Sequence, residues 1–303
     1  MAQKKIKIVE VGPRDGLQNE AIQLSVSHRV ELIEKLIRAG IHFVEVGAFV
    51  SPEWVPQMAN SDQVIAALQK KGLLKKADCS ALVPNPRGME DALKTSIQHI
   101  AVFGACSETF SKKNINCSID ESFQRFEDVI KMAKKHKINV RGYLSTAFGC
   151  PYEGVVSEAQ VLKLVGRMLK LGVSEVSIGD TIGVGTPKQV ESLLKKVEKK
   201  YGLKKIAMHF HDTRGTALAN VLASLKTGVS TFDASVGGLG GCPYAKGASG
   251  NLATEDLIYM LHGMGYKTGI QLDRLIETAR WVEQHLGRPL PSRMAKAGLP
   301  LRK

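Results

Sequence analysis

Two histidines stand one residue apart in the segment KKIAMHFHDTRG, at the end of a short apolar run. Side chains alternate between the two faces of a β-strand, so His209 and His211 would point the same way if IAMHFH is a strand. Two neutral imidazoles at that separation suit a divalent metal ion. A packed core histidine beside a solvent-facing one would give the same tetrapeptide, so other parts of the chain have to distinguish the two cases.

Two further residues could add oxygen ligands to such an ion. Asp15 follows the first apolar run, in GPRDGLQNE, and Asn251 follows the last glycine-rich segment. Nitrogen and oxygen donors together suit Mg²⁺ or Mn²⁺, with Zn²⁺ or Co²⁺ as alternatives. Taken alone, Asp15 also suits a turn and Asn251 also suits a helix N-cap.

Arg14 and Cys242 could act on a substrate next to that ion. A guanidinium stays protonated, so Arg14 could stabilise negative charge on an oxygen, or form a salt bridge with Glu45 or Asp180. Cys242 lies in GGLGGCPYAKGASGN, where six of fifteen residues are glycine. Such a loop can approach a ligand closely or close as a lid. Its cysteine could be an acid, a nucleophile, a redox switch or an inert thiol.

The elements that must position these residues alternate regularly along the chain. Eight β-rich runs, from KIKIVEVG to STFDASVGG, are separated by amphipathic helical stretches, several of which begin at Ser or Asp and end at Gly. This pattern predicts parallel strands and helical crossovers, and a (β/α)8 TIM barrel needs roughly 250 residues. We expect one domain, residues 1–303, with the barrel at about 5–266 and a C-terminal helical extension at about 267–303. No GxGxxG opens the first helix, which disfavours a doubly wound open sheet.

A barrel places its chemistry at the carboxyl ends of the strands. Because the first and eighth strands of a closed barrel adjoin, Asp15 should lie near His209 and His211. The polar residues that we assign to this end, unit by unit, are Arg14 and Asp15, Glu45, Arg141 and Tyr143, Asp180 and Thr181, and His209 and His211.

Composition excludes several other classes of protein. The 303 residues carry a net charge of +13, but the lysines recur at helical spacing, as expected for solvated helix faces. Aromatic residues make up 6% and no RNA-binding signature interleaves the basic residues, so a polyphosphate ligand fits the charge better than nucleic acid. Five cysteines without CxxC spacing argue against disulfides and structural zinc. With no signal segment or membrane span, we expect a cytoplasmic protein.

Six segments together resemble the 3-hydroxy-3-methylglutaryl-CoA lyase family, in the same order along residues 5–265. The segment around Cys242 is the most specific of them, whereas RD followed by HxH marks the wider group of metal-dependent lyases and synthases on this barrel. The six are VGPRDGLQNE, VEVGAFVSPEWVPQM, RGYLSTAFGCPYEG, SIGDTIGVGTP, HFHDTRGTALAN and GGLGGCPYAKGASGNLATEDL.

The resemblance implies a retro-Claisen lyase for an acyl-CoA ester. It implies a divalent cation on Asp15, His209, His211 and Asn251, an enolate-stabilising Arg14 and a catalytic thiol at Cys242. Asp15 or a histidine would be the base. The positions that match supporting roles in catalysis or substrate binding are Glu45, Asp180, Ser177, Arg141, Tyr143 and Thr181. We expect a homodimer or another homo-oligomer, and no nucleic-acid or membrane partner.

The chain also departs from the animal mitochondrial members of that family. It has Gly47-Ala48-Phe49 where those enzymes usually read TSF, and it ends in AGLPLRK without their extra cysteine. It therefore resembles a bacterial version. Activity on a related 3-hydroxyacyl-CoA stays open because Ala48 changes the pocket, whereas a synthase is disfavoured because fewer than 40 residues follow the barrel.

Overall fold

The computed structural model describes residues 5–241 and 250–300. Eight parallel strands form a closed barrel in chain order. The last strand pairs with the first over four residues, from Lys7 opposite Thr231 to Glu10 opposite Ala234. This confirms the predicted TIM barrel. The strands are β1 (Lys7–Glu10), β2 (Phe43–Ala48), β3 (Asp78–Leu82), β4 (His99–Ala105), β5 (Asn139–Ser145), β6 (Glu175–Asp180), β7 (Ile206–Phe210) and β8 (Thr231–Ala234).

Helices connect successive strands and extend beyond the eighth. Their bounds are α1 (Val26–Arg38), α2 (Ser61–Lys70), α3 (Pro86–Leu93), α4 (Glu108–Ile115), α5 (Ile119–Lys135), α6 (Glu158–Leu171), α7 (Pro187–Tyr201), α8 (Ala217–Thr227), α9 (Thr254–Gly263), α10 (Leu272–Leu286) and α11 (Arg293–Ala297). None of these helices combines the length and the apolar character that a membrane crossing requires.

The helices begin where the sequence offers side-chain caps. Ser25, Ser118 and Ser157 accept a hydrogen bond from a backbone N–H in the first turn of α1, α5 and α6. At Ser118 the cap is reciprocal, because Glu121 accepts from the Ser118 N–H at 2.7 Å. These contacts satisfy N–H groups that have no partner inside the helix.

Helix α7 shows where the net positive charge resides. Its buried stripe recurs at helical spacing and packs toward the sheet: Val190, Leu193, Leu194 and Val197. Lysines of the same helix that lie outside this stripe are exposed: Lys195, Lys196, Lys199 and Lys200. A stripe of this kind anchors a surface helix, while the charged side stays in water.

The C-terminal residues pack onto the carboxyl end of the barrel beside β8. The Ser292 N–H donates to the Gly237 carbonyl at 3.0 Å, and the Met294 N–H donates to the Asp256 carboxylate at 2.7 Å. Arg288 also forms a bidentate pair with Glu20 in the loop after β1. The extension therefore supports the loops after β1 and β8, where the candidate site lies. That residues 1–303 form one domain stays a prediction.

Candidate metal centre and active site

A single π-helical turn, Gly12–Gly16, follows β1 and carries Arg14 and Asp15. The buried Glu10 carboxylate holds this turn by accepting from the Gly12 N–H at 2.8 Å, and it also accepts from the Val236 N–H at 2.8 Å. Because Val236 follows β8, one carboxylate joins the first and last strand ends. π-turns are rare and frequently lie at functional sites.

The two histidines lie side by side, as their spacing predicts. His209 is the fourth residue of β7, and His211 pairs just beyond the strand with Asn251 in an isolated bridge. Their ring centroids are 5.2 Å apart. The Leu252 N–H donates to the Phe210 carbonyl at 3.1 Å, so the segment that returns after β8 lies along the end of β7.

Asp15, His209 and His211 form a cluster whose potential ligand atoms all lie within 4.8 Å of one another. Asn251 adjoins it, since its Nδ2 donates to the Asp15 carboxylate at 2.8 Å and to the Leu239 carbonyl at 3.0 Å. The strand order therefore brings together the four residues that the sequence predicts as ligands.

The cluster passes a test of fit for a divalent cation. Two of its buried atoms, His211 Nδ1 and Asn251 Oδ1, have no hydrogen-bond partner. Buried polar atoms are rarely left unpaired, and both of these can coordinate a metal. Two imidazoles, a carboxylate and an amide oxygen make a mixed set that several divalent ions accept.

The charges around the cluster act differently on each ligand. Burial and the charge of His209 lower the pKa of His211 to about 3, which keeps that imidazole neutral. Burial opposes the charged form of Asp15, but the positive charges of Arg14, His209 and His211 and the hydrogen bond from Asn251 together lower the pKa of the carboxyl. For His209 burial opposes the charged form, but its hydrogen bond to Asp233 and the charge of Asp233 raise the pKa.

Arg14 joins the cluster to the barrel interior. Its Nη1 donates to Asp15 at 2.9 Å, and its Nε and Nη2 lie 2.7 and 2.6 Å from one oxygen of Glu45. Burial opposes the charge of Arg14, but Glu45 and Asp15 hold its pKa above the ordinary value. The second Glu45 oxygen is buried without a hydrogen-bond partner. Of the two salt-bridge partners that the sequence suggests for Arg14, Glu45 and Asp180, the structure pairs it with Glu45.

A second polar network lies deeper in the barrel. Arg141 is the third of seven residues in β5, nearer the amino end of the strand than the sequence pattern suggests. Its Nε, Nη1 and Nη2 donate to Glu175 at 2.8 Å, to the Tyr143 hydroxyl at 2.8 Å and to Asp233 at 2.7 Å. Ser177 donates its hydroxyl to Asp233 at 2.7 Å. Three of the predicted substrate-binding residues, Arg141, Tyr143 and Ser177, are therefore engaged with protein groups.

Asp180 and Thr181 hold the backbone at the end of β6. The two Asp180 oxygens accept from the N–H groups of Val184 and Gly185 at 3.0 and 2.8 Å. The Thr181 hydroxyl accepts from the Thr146 N–H at 2.8 Å. Thr146 has a φ of +57°, which is strained for a β-branched residue, and Thr181 helps to hold it there. In this arrangement both side chains shape the rim.

Glycines form the neck of the loop that carries Cys242. A Cβ at Gly250 would lie 2.2 Å from the Gly240 carbonyl oxygen, and one at Gly240 would lie 2.8 Å from Asn251 Nδ2. Only glycine allows the two ends of the loop to approach so closely beside a candidate ligand. Cys242 itself lies outside the described residues, and its assignment as the catalytic thiol stays a prediction.

Sequence reasoning missed Asp233 and Glu175. Asp233 is the third residue of β8 and is 2% exposed, and Glu175 begins β6. A signal was present, because a carboxylate inside the apolar run STFDASV of a parallel strand needs a polar partner in the barrel interior. The identity of that partner depends on strand register, which the sequence does not show.

The same architecture and motifs identify the family. A family model described as HMGL-like matches residues 5–282. The chain belongs to the HMGL-like family. HMGL-like lyases depend on a metal ion, and the Asp15, His209 and His211 cluster is the candidate site in this member.

Other HMGL-like proteins match along nearly the whole chain. The human mitochondrial hydroxymethylglutaryl-CoA lyase is 50% identical over 294 residues, covering 97% of this chain and 90% of the human protein. A Pseudomonas aeruginosa 3-hydroxy-3-isohexenylglutaryl-CoA/hydroxy-methylglutaryl-CoA lyase is 47% identical, covering 97% of each. An Acinetobacter baumannii HMG-CoA lyase, solved with coenzyme A and 3-methylmalate, has a TM-score of 0.90 at 36% identity, covering 98% of each chain.

Proposed function

We propose that this chain cleaves 3-hydroxy-3-methylglutaryl-CoA into acetyl-CoA and acetoacetate by a retro-Claisen reaction. The observation that carries the proposal is the contact between Arg14 and the Asp15, His209 and His211 cluster, on the scaffold of an HMGL-like lyase. A metal-ligand set alone would suit many hydrolases and lyases. A guanidinium fixed 2.9 Å from a candidate ligand adds a group that can stabilise an enolate.

We assign Asp15, His209, His211 and Asn251 as ligands, and propose Mg²⁺ or Mn²⁺ as the ion. When bound, a divalent cation would orient the substrate's oxygens and lower the pKa of its tertiary hydroxyl. Asp15 or His211 then takes the hydroxyl proton. The alcohol oxygen becomes the ketone oxygen of acetoacetate while the C2–C3 bond breaks, and the electron pair of that bond passes to C2 as the enolate of acetyl-CoA.

Arg14 faces the enolate oxygen in this scheme. The guanidinium has five N–H donors, three of which point at Asp15 and Glu45, so two remain. Glu45 keeps the guanidinium in place from the barrel interior. One such electrostatic partner typically lowers a barrier by about 3–4 kcal/mol. Cys242 or a water molecule supplies the proton that converts the enolate into the methyl group of acetyl-CoA.

The proposal is tested by metal-dependent turnover. Purified protein is stripped with a chelator, dialysed, and assayed for acetoacetate from 3-hydroxy-3-methylglutaryl-CoA with and without added Mg²⁺ or Mn²⁺. We expect turnover only with added ion, and a loss of most activity in Cys242→Ser with the fold retained. Failure to form acetoacetate under any of these conditions would overturn the proposal.

A second candidate is the same cleavage of esters with a longer substituent on C3. Ala48 is the observation that favours it. A Cβ at Gly47 would meet Ser61 on α2, outside the barrel, so the next side chain, Ala48, faces the interior. Ala48 is buried there and is smaller than the serine of the animal enzymes by one oxygen atom, and one relative carries the isohexenylglutaryl ester in its name. Comparing kcat/KM for the methyl and isohexenyl esters in wild type and Ala48→Ser distinguishes the candidates: a preference for the longer ester that Ala48→Ser reduces would favour the second.

We propose that the enzyme works in the cytoplasm as a homodimer or another homo-oligomer. The cysteines among the described residues, namely Cys79, Cys106, Cys117 and Cys150, are all free and buried, which agrees with a reducing compartment. Light scattering coupled to gel filtration measures the oligomeric state directly.

A further inference from the structure

Asp233 lies directly beside His209 in the barrel sheet. The register of β7 and β8 pairs the two residues across adjacent parallel strands, and neighbours in register project on the same face. The Asp233 side chain is 0% exposed, and one of its oxygens lies 3.3 Å from His209 Nδ1. The contact is therefore set by strand pairing and not by a mobile loop.

Asp233 itself has little freedom to turn. Its Oδ1 accepts from Arg141 Nη2 at 2.7 Å, and its Oδ2 accepts from the Ser177 hydroxyl at 2.7 Å. Arg141 is held in turn by Glu175 and by the Tyr143 hydroxyl. A carboxylate with this arrangement of partners presents a fixed acceptor to the imidazole.

The fixed acceptor selects one tautomer of His209. A carboxylate paired with a guanidinium can only accept a hydrogen bond, so the nitrogen facing it must carry the proton. That nitrogen is Nδ1, which leaves Nε2 with a free lone pair. His211 differs, because its Nδ1 has no partner. A carboxylate of the barrel interior thus orients the ring of His209, whereas the Nδ1 of His211 has no such partner.

We propose that Asp233 is a positioning residue that holds His209 in the Nδ1–H tautomer, with Arg141 and Ser177 fixing Asp233, so that His209 Nε2 is the metal ligand. The proposal rests on the metal site of the proposed function. It adds a residue that touches neither substrate nor ion. Carboxylates that accept from metal-binding histidines typically change metal affinity by 10–100-fold.

The test compares two variants, each of which replaces one of the two carboxylates that pair with Arg141 by the corresponding neutral amide. Asp233→Asn removes the carboxylate that contacts His209, whereas Glu175→Gln removes the other carboxylate on Arg141 and leaves His209 untouched. Mn²⁺ binding to the metal-free proteins is measured by electron paramagnetic resonance of the free ion, without substrate. We expect Kd to rise 10–100-fold in Asp233→Asn and to stay within about threefold of wild type in Glu175→Gln.

Equal Mn²⁺ affinities in wild type and Asp233→Asn would overturn the proposal, as would equal weakening in both variants. If Asp233→Asn does not fold, the Mg²⁺-loaded wild type decides by ¹⁵N NMR of histidine, with His209→Gln used for assignment. We expect a protonated Nδ1 at His209, and a protonated Nε2 would refute the inference. Normal Mn²⁺ binding without acetoacetate formation would instead defeat the proposed function alone.

Discussion

Buried polar atoms differ in their pairing between the rim of the barrel and the network around Asp233 in its interior. At the rim, His211 Nδ1 and Asn251 Oδ1 are buried without partners. In the interior, Arg141 donates to three protein groups, and Asp233 accepts from Arg141, Ser177 and His209. Unpaired buried atoms are costly unless a ligand satisfies them, whereas a fully paired network is rigid. The difference supports the proposal that the rim binds an ion and that the network around Asp233 positions one of the groups that bind it.

The comparison predicts that losing a rim ligand has the largest effect on turnover. We expect His211→Ala to lower kcat/KM by at least about a hundredfold, because the candidate ion loses a direct ligand. Acetoacetate formation measures this, and circular dichroism checks the fold. His136→Ala, at an exposed histidine after α5, is the matched control and should keep wild-type turnover. Comparable activity in both variants would remove the basis for a rim metal centre.

Arg14 connects the two regions, and we expect its substitution to have the next largest effect on turnover. We expect Arg14→Ala to lower kcat by about 100- to 1,000-fold, which corresponds to about 3–4 kcal/mol of barrier. Stability should also fall, because Glu45 would be left buried without its cation. Steady-state kinetics and thermal unfolding measure the two effects separately. Near-normal turnover in this variant would contradict the enolate role.

A substitution in the glycine neck tests whether catalysis depends on the backbone geometry at the rim as well as on the candidate ligands. In Gly250→Ala the new methyl group would meet the Gly240 carbonyl, so the neck must open next to Asn251. We expect an approximately tenfold loss of kcat/KM and a lower Tm. Gly263→Ala is the matched control, since a Cβ there meets nothing within 4 Å, and it should leave both quantities unchanged or raise Tm slightly. Wild-type kinetics in Gly250→Ala would show that the neck geometry does not matter for catalysis.

The smallest effect that we expect is on stability, and it comes from Glu255, a buried carboxyl outside both the rim cluster and the network around Asp233. Its carboxylate is buried and accepts from the Gly237 N–H instead of pairing with a cation, and burial raises its pKa to about 8. A carboxyl whose folded pKa exceeds its ordinary value of 4.5 stabilises the fold at low pH. That contribution is lost as the pH rises from about 4.5 through about 8.

We therefore expect the free energy of unfolding to fall between pH 5 and pH 9, and Glu255→Gln to reduce that fall by on the order of 2 kcal/mol. Urea unfolding at several pH values measures the difference. Glu127→Gln, at a side chain that is 53% exposed, should not change the slope. A pH dependence unaltered in Glu255→Gln would mean that this carboxyl is ionised throughout.

Individual residues show which features of the site the spacing of residues in the sequence can predict and which it cannot. The spacing of His209 and His211, together with β-strand alternation, predicted adjacent rings, and the rings are adjacent. The role of Asp180 could not be predicted in this way, because a carboxylate at the end of a strand suits a catalytic role and a backbone turn equally. The structure shows that it accepts from Val184 and Gly185.

The sequence by itself determined the barrel, the order of its strands and the four residues that converge as candidate ligands. Periodicity and short-range spacing carry that information, and barrel closure brings the first and last strands together. Only the tertiary structure decided that Asp233 faces His209 and that Arg141 and Ser177 are occupied by Asp233. Those contacts depend on strand register and on the competition of buried donors for one carboxylate, and neither is encoded in any local stretch of residues.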